Sequence, residues 1–238
     1  MNVRQRVTRV CVLVLCAAAL AACSTTKKAA APAVRTIAVI PAVDPDLYTL
    51  RNKNPISLIS PIVDFGNTID SRYKAQALTV KLLAQKAQLG EQLTAAMVDA
   101  LNQQGFQAKV VPQRDLEGVN LRDIDYEQFK TDADAVLHVY FTEVGVYSGF
   151  DSLDYLPKTN VTGYLFSPKD GSYIHEETVF HGVDSREGKA WGIPSDPKYA
   201  YRSFEDLMDR ASELATGFRV GTRAAAQRMA ENFRKALR

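Results

Sequence analysis

Two apolar runs on either side of a long amphipathic stretch constrain the fold of this chain more than any other feature. Thr36–Pro41 is almost continuously apolar and ends at a proline, which is typical of a buried strand in a parallel sheet. Residues 71–104 are predicted to form a helix, with Gly90 as a candidate break. Its apolar stripe consists of Leu78, Leu82, Leu89, Leu93, Met97 and Leu101. Gly105 then ends the helix, and Phe106–Val111 is predicted as a second strand, so that a right-handed crossover joins two parallel strands.

A long strand and a hairpin are predicted in the second half of the chain. Residues 135–146 carry alternating apolar side chains, and the alternation changes after Gly145, which predicts a β-bulge. The segment 167–171 combines a proline with a glycine between two strand-like runs, 160–166 and 172–180. This combination predicts a β-hairpin, because proline presets φ and glycine accepts a positive φ.

Helices complete the predicted architecture. Residues 123–130 are predicted as a short helix, and residues 44–70 as a long loop that contains prolines. Ser203 with Asp206 fits the capping pattern at the start of a terminal helix over 203–237. We therefore expect an α/β fold, bordering on α+β, with a mixed sheet of about five strands. One long helix follows the first strand and another ends the chain.

The first 23 residues differ from the rest of the chain. A basic start is followed by the uncharged apolar run Val10–Ala22 and by Cys23, which is the order of a secretory signal peptide. The run of 13 residues is too short to span a bilayer alone, because roughly 20 are needed. Removal of residues 1–22 lowers the lysine and arginine count from 29 to 26 and leaves all 27 acidic residues. The net charge then falls to −1, which argues against a protein that binds nucleic acid.

The sequence Leu20-Ala21-Ala22-Cys23 resembles the lipobox of bacterial lipoproteins. The resemblance implies that signal peptidase II recognises Leu20, Ala21 and Ala22 and cleaves before Cys23. Cys23 would then carry a diacylglycerol and an N-acyl chain such as palmitate. Ser24 stands where an aspartate would retain a lipoprotein in the inner membrane, which favours an outer-membrane lipoprotein that faces the periplasm. The alternative is an ordinary signal peptide with a cysteine at this place by chance.

The predicted cleavage divides the chain into three parts. Residues 1–22 are the signal peptide, residues 23–34 are the lipidated cysteine and a flexible tether, and residues 35–238 are a single periplasmic α/β domain. Cys11 and Cys16 leave with the signal, so the mature domain keeps no thiol for a disulfide, a metal site or a nucleophile. We expect no metal and no cofactor apart from the covalent lipid.

The order of the predicted elements resembles that of Gram-negative envelope lipoproteins with a fold like the N-terminal domain of TolB, including the CsgG-type lipoproteins. The residues that carry the resemblance are Thr36–Pro41, Gly105-Phe106, Val110-Val111-Pro112, Asp134-Ala135-Val136-Leu137, Gly163-Tyr164-Leu165 and Asp170-Gly171. The resemblance implies an accessory or assembly role in the envelope, without catalysis. The insertion over 44–70 departs from the pattern, and no segment predicts a pore-forming hairpin, which argues against a secretion channel.

Few residues are candidates for chemistry. Asp44 and Asp46 follow the first strand, where ligand sites of α/β sheets gather, but they also fit a turn cap beside Pro45. His138 lies between apolar residues of the long strand and is either a general base or a structural histidine. A third candidate is the set His175, Glu177 and His181, which would share one face of a strand. Positions 175 and 181 would lie about 20 Å apart, so a solvated strand face is favoured over a metal site.

Aromatic residues in predicted loops are candidates for partner binding, because exposed aromatic side chains are frequent anchors in interfaces. The candidates are Tyr147, Phe150, Tyr155, Trp191 and Tyr199. The alternative is that these loops fold back and bury the rings. The apolar patch Ile56–Val63 is open to the same two interpretations.

Three hypotheses of function follow. The first is a non-enzymatic, lipid-anchored envelope lipoprotein that acts as a periplasmic binding or assembly module for an envelope protein. The second is a periplasmic small-ligand receptor or hydrolase with a site at Asp44, Asp46 and His138. The third is a homo-oligomeric component joined through the long helices.

Overall fold

The computed structural model describes residues 34–52, 61–127, 129–149, 154–182 and 192–237, and for residues 61–71 it describes the backbone alone. Several predictions lie outside these residues. They concern the signal peptide and lipobox, the tether, most of the Ile56–Val63 patch, Phe150 and Trp191.

The described residues form six strands and four helices. The strands are β1 (Thr36–Ile40), β2 (Thr49–Asn52), β3 (Gln107–Val110), β4 (Ala135–Ser148), β5 (Tyr155–Phe166) and β6 (Tyr173–His181). The helices are α1 (Pro61–Ala84), α2 (Leu89–Gln103), α3 (Phe204–Asp209) and α4 (Ala211–Ala236). Single 3₁₀ turns lie at Gln113–Leu116 and Pro197–Tyr199.

The strands form one mixed sheet in the order β3-β1-β4-β5-β6, which confirms the predicted α/β class. β1 is parallel to both of its neighbours, while β4, β5 and β6 are antiparallel. β2 lies beyond β1 and pairs in parallel with the second half of β4. One side of β4 therefore carries two short parallel strands in succession.

β1 lies between β3 and β4, and its side chains are apolar on both faces of the sheet. Ile37 and Val39 contact the main core, which α2 and α4 cover on one face of the sheet. Ala38 and Ile40 contact a smaller cluster on the other face, beneath the segment that precedes β4. A strand buried on both sides reads as a continuous apolar run, so this prediction is confirmed.

The long helix predicted over residues 71–104 is two helices, and the break is not at Gly90. It lies at residues 85–88, where Lys86 and Gln88 have left-handed φ angles of 49° and 48°. Gly90 lies instead in the first turn of α2, against the chain that leaves β1. A Cβ there would lie 2.9 Å from the backbone nitrogen of Asp44. The helix ends as predicted before Gly105, whose φ is 85°.

Three other predictions of local structure are wrong. Residues 44–70 do not form one long loop, because β2 forms there through its pairing with β4 and α1 already begins at Pro61. Residues 123–127 form turns in place of a helix, because the Asp125 carboxylate accepts a hydrogen bond from the backbone of Glu127 and holds the chain in a turn. The bulge in β4 lies between Phe141 and Glu143, not after Gly145. Gly145 instead lets β2 approach, since a Cβ there would lie 2.7 Å from the carbonyl carbon of Thr49.

The terminal helical region begins as predicted. The Ser203 hydroxyl accepts a hydrogen bond from the backbone nitrogen of Asp206, 3.1 Å away. A break at Arg210 then separates α3 from α4. The predicted hairpin is also confirmed, with Gly171 at a φ of 71° in its turn. No helix within the described ranges combines the length and apolar character that crossing a bilayer requires.

Candidate functional site

A cleft of about 510 Å³ lies where the side of β4 is open. β4 pairs with β1 as far as His138 and with β2 from Gly145 onward. Between these points the chain leaves the sheet as the loop 41–48, and the cleft forms beside residues 140–144 of β4. Ligand sites of parallel sheets gather at such carboxyl ends, beside a point where the strand order changes. The residues that line the cleft include Asp44, Asp46, Arg122, His138, Tyr140 and Glu143.

Asp44 has a structural partner in α2. Its Oδ1 atom accepts a hydrogen bond of 2.6 Å from the backbone N–H of Gly90, in the first turn of the helix. The residue at the N-cap position itself, Gln88, makes no side-chain cap. A carboxylate at a helix N-terminus interacts favourably with the helix dipole. Asp44 therefore caps a distant helix, where the sequence suggested a cap of its own turn.

Asp46 pairs with Arg122 across the mouth of the cleft. The Arg122 guanidinium forms hydrogen bonds with both oxygens of the Asp46 carboxylate, and its Nη2 donates to the Asp44 carbonyl oxygen at 3.2 Å. This pair joins loop 41–48 to the segment that precedes β4. Both side chains are largely exposed, and pairs of this kind contribute at most about 1 kcal/mol.

His138 is buried in the wall of the cleft and hydrogen-bonds a tyrosine hydroxyl through Nδ1. Nδ1 lies 2.9 Å from the Tyr126 hydroxyl, and the ring also hydrogen-bonds the Leu121 backbone. Burial lowers the pKa of His138 from 6.5 to about 4. A buried, neutral and hydrogen-bonded imidazole fits the structural interpretation made from the sequence better than a general base.

An aromatic wall surrounds His138. The ring centroids of Tyr126 and Tyr164 lie 4.7 Å apart, and those of His138 and Tyr140 lie 4.9 Å apart. Burial is the main cause that raises the pKa of Tyr126 to about 12. The hydroxyl therefore stays protonated and can donate a hydrogen bond to His138. This wall gives the cleft an apolar surface beside its charged rim.

Glu143 is the centre of an ion-pair network that was not predicted from the sequence. Its carboxylate lies 2.8 Å from the Lys158 ammonium and 2.8 Å from Nε of Arg51. The side chains of Lys158 and Glu143 are only 11% and 14% exposed. Glu143 also accepts a hydrogen bond from the Thr49 hydroxyl at 3.2 Å. The two polar residues Thr142 and Glu143, which interrupt the apolar pattern of the long strand, were the available signal.

The aromatic candidates for partner binding do not form an exposed set. Tyr147 is 6% exposed and belongs to β4, while Tyr199 is 8% exposed and lies in a 3₁₀ turn against α4. Tyr155 is half-buried at the start of β5, where its backbone pairs with that of Tyr201. Tyr147 and Tyr199 are therefore buried, which is the second of the two interpretations made from the sequence. Partner binding by these residues stays a prediction.

The strand face with His175, Glu177 and His181 is not solvated, and this prediction is wrong. The face packs against α4, which the sequence pattern of β6 alone did not indicate. The His175 ring contacts Phe233 edge-on, and Glu177 accepts a hydrogen bond of 2.8 Å from Asn232. His181 is buried beside α4. Within the described part of the chain, no three His, Cys, Asp or Glu residues are placed to hold a metal ion.

Comparison of the chain with family models and with curated proteins gives no match. Two solved bacterial structures are distantly similar. The lipoprotein GNA1162 from Neisseria meningitidis has a TM-score of 0.32 and 15% identity, over 61% of this chain and 81% of that chain. The PelC dodecamer from Paraburkholderia phytofirmans has a TM-score of 0.30 and 16% identity, over 63% of this chain and 74% of that chain. Similarity at this level assigns no family.

Proposed function

We propose that this chain is a lipid-anchored lipoprotein of the bacterial outer membrane, whose periplasmic domain is a non-enzymatic accessory module that binds an envelope protein. The sequence Leu20-Ala21-Ala22-Cys23 after a basic start and an apolar run carries this proposal. A lipid on Cys23 confines the domain to the membrane surface and raises its effective concentration near a partner in the same membrane. The function of the module then depends on its position at the membrane surface.

Lipid attachment is tested by metabolic labelling with palmitate in a Gram-negative host. The wild-type chain is expected to take up the label. Cys23→Ala is expected to lose the label, and no processed protein should be found in the membrane fraction. Cys16→Ala is the matched control, because Cys16 lies in the part that is removed and its loss should leave the label unchanged. Equal labelling of the wild type and Cys23→Ala would rule out the anchor.

A second candidate function is reception of a small ligand in the cleft. The specific observation in its favour is a cavity of about 510 Å³ with an aromatic wall and a charged rim, features that ligand pockets share. The hydrolase version of this hypothesis has less support, because His138 is buried and its Nδ1 is already engaged with the Tyr126 hydroxyl. Binding without reaction is therefore the form that we propose.

One crosslinking experiment separates the two candidates. A photo-reactive amino acid is placed at Leu47, which is exposed on the cleft wall, and as a control at Val110, which is exposed on β3. A discrete protein adduct from position 47 alone supports the accessory module, and a small-mass adduct supports the receptor. Thr142→Trp, which fills the cleft, should abolish either adduct. Identical products from positions 47 and 110 would contradict any role of the cleft.

A further inference from the structure

The second half of α1 has an apolar face that points away from the domain. Ala75, Leu78, Thr79 and Leu82 are buried against the core. On the other side, Tyr73, Val80 and Leu83 are 70%, 68% and 56% exposed. These three residues recur at the spacing of one helix face. Large apolar side chains that recur on one exposed stripe mark a surface for interaction more often than isolated ones do.

The charged residues in the second half of α1 and in the turn after it are all basic. Residues 71–88 contain four basic side chains and no aspartate or glutamate. Of the four, Lys74 lies over the ring of Phe204, while Arg72, Lys81 and Lys86 are exposed beside the stripe. We call Arg72, Tyr73, Val80, Lys81 and Leu83, together with Lys86 in the turn that follows the helix, the outer face of α1. The mature chain carries a net charge of −1, so this basic character belongs to the face and not to the protein as a whole.

The combination of basic and apolar residues on the outer face of α1 fits an anionic lipid surface. Anionic phospholipid headgroups attract lysine and arginine at the surface, while the boundary of the acyl chains accepts tyrosine, valine and leucine. A protein partner would need acidic residues that complement the same stripe, whereas the anchor holds the membrane itself directly beside the domain. The surface potential of anionic lipids therefore complements the charge of this face.

The predicted tether permits this contact. The eleven residue steps from Cys23 to Val34 reach at most roughly 40 Å. The length of β1, with its five residues, is only roughly 17 Å. A tether longer than the strand that follows it does not restrict which side of the domain faces the bilayer. The side that lies on the membrane is then decided by the surface of the domain.

We propose that the outer face of α1 lies on the anionic lipid surface to which the chain is anchored. Tyr73, Val80 and Leu83 enter the interfacial region, and Arg72, Lys81 and Lys86 contact phosphate headgroups. The proposal rests on the proposed function, since the anchor supplies the membrane. It adds a defined orientation of the domain, with α1 towards the lipid.

The test uses the purified mature protein with an environment-sensitive fluorescent amino acid at Leu83. A matched control carries the same probe at Tyr173, which is 60% exposed on β6. Each protein is mixed with vesicles of phosphatidylcholine alone or with about 30% phosphatidylglycerol, which supplies the anionic surface potential. At position 83 we expect a blue shift and at least about threefold stronger quenching by doxyl lipids in anionic vesicles. At position 173 we expect neither.

Charge reversal separates this face from charge in general. Arg72→Glu/Lys81→Glu/Lys86→Glu should abolish the response at position 83 and leave the circular dichroism spectrum unchanged. Lys109→Glu/Arg114→Glu/Lys169→Glu changes the net charge equally at exposed sites outside α1 and should preserve the response. Loss of the response in both variants would overturn the proposal.

The remaining outcomes distinguish this proposal from the anchor on which it rests. Flotation with phosphatidylcholine vesicles reports the anchor, whereas the probe reports the face. If the protein floats with both kinds of vesicle but the fluorescence at position 83 does not change, the membrane contact of the outer face of α1 is overturned and the anchor stands. A probe response in anionic vesicles without flotation in phosphatidylcholine would support the face and reject the anchor. A blue shift that depends on protein concentration without vesicles would overturn the proposal in favour of a second copy of the chain.

Discussion

Gly221 of α4 lies directly against the imidazole of His181 on β6. A Cβ at position 221 would lie 2.7 Å from Nδ1 and 2.9 Å from Cε1 of that ring. His181 is buried, and this contact fixes how closely α4 approaches the sheet. This glycine is therefore a place where helix and sheet meet closely.

Gly221→Ala should therefore destabilise the domain. The added methyl group must displace a buried ring, and overpacking of this kind costs about 1–3 kcal/mol. Urea denaturation followed by circular dichroism measures the change. In the double variant Gly221→Ala/His181→Ala, the alanine at position 181 makes room for the added methyl group. Part of the lost stability should therefore be recovered. A single variant as stable as the wild type would show that the helix can move away freely.

Glu143 should matter far more than Arg51, although the two are paired. Glu143→Gln leaves the Lys158 ammonium in a site where that side chain is only 11% exposed, and breaking a buried pair costs about 3–5 kcal/mol. Arg51 is exposed, so Arg51→Ala should cost less than about 1 kcal/mol. The free energy of unfolding of each variant tests the difference. Equal losses would mean that Glu143 is stabilised by the exposed arginine rather than by Lys158.

Tyr126→Phe should reveal how far His138 depends on its partner. The variant keeps the aromatic wall but removes the hydroxyl 2.9 Å from Nδ1 of the buried histidine. A buried polar atom left without its partner costs about 1–3 kcal/mol. Tyr73→Phe removes a hydroxyl from a ring that is 70% exposed and should change stability little. If both variants unfold at the same urea concentration as the wild type, water replaces the lost hydroxyl.

Glu177 should make the domain less stable as the pH rises through neutrality. Burial raises the pKa of its carboxyl from 4.5 to about 7, although Asn232 and Arg228 favour the charged form. Between these pH values the folded state binds more protons than the unfolded state, so stability falls as pH increases. Glu177→Gln removes the charge and should raise the melting temperature more at pH 8 than at pH 5.

The control for Glu177 is the pH dependence of the variant itself. Burial lowers the pKa values of His138 and His181 to about 4. The contribution of these neutral histidines to the stability of the fold is therefore lost as pH falls from 6.5 towards 4. The difference between the wild type and Glu177→Gln cancels these histidines. A difference that is the same at pH 5 and pH 8 would contradict a titrating Glu177.

The elements that could be predicted from sequence are those with a local cause. The apolar run of β1 and the proline and glycine of the hairpin turn act within a few residues. The helix break could not be found in this way, since Lys86 and Gln88 adopt positive φ angles without being glycine. β2 was missed for a different reason, because it is a four-residue strand that exists only through its pairing with β4.

The candidate site divides along the same line. Asp44 and His138 were found because they follow or lie within apolar strands. Arg122 and Tyr126 were not found, because they reach the cleft from a segment of turns whose course depends on tertiary contacts. Lys158 lies on a neighbouring strand and meets Glu143 only through the register of β4 and β5.

The open side of β4 separates the parts of the chain that fold the domain from those that line its cleft. The strand pairing of β1, β2 and β4 fixes the frame, while loop 41–48 and the turns at 117–127 supply much of the lining without taking part in the sheet. Within these two segments Asp44 caps α2, Tyr126 bonds His138 and Tyr48 is buried in the core, whereas Asp46, Leu47 and Arg122 are exposed. Substitutions at the exposed positions can therefore change the lining of the cleft while the sheet that frames it stays the same.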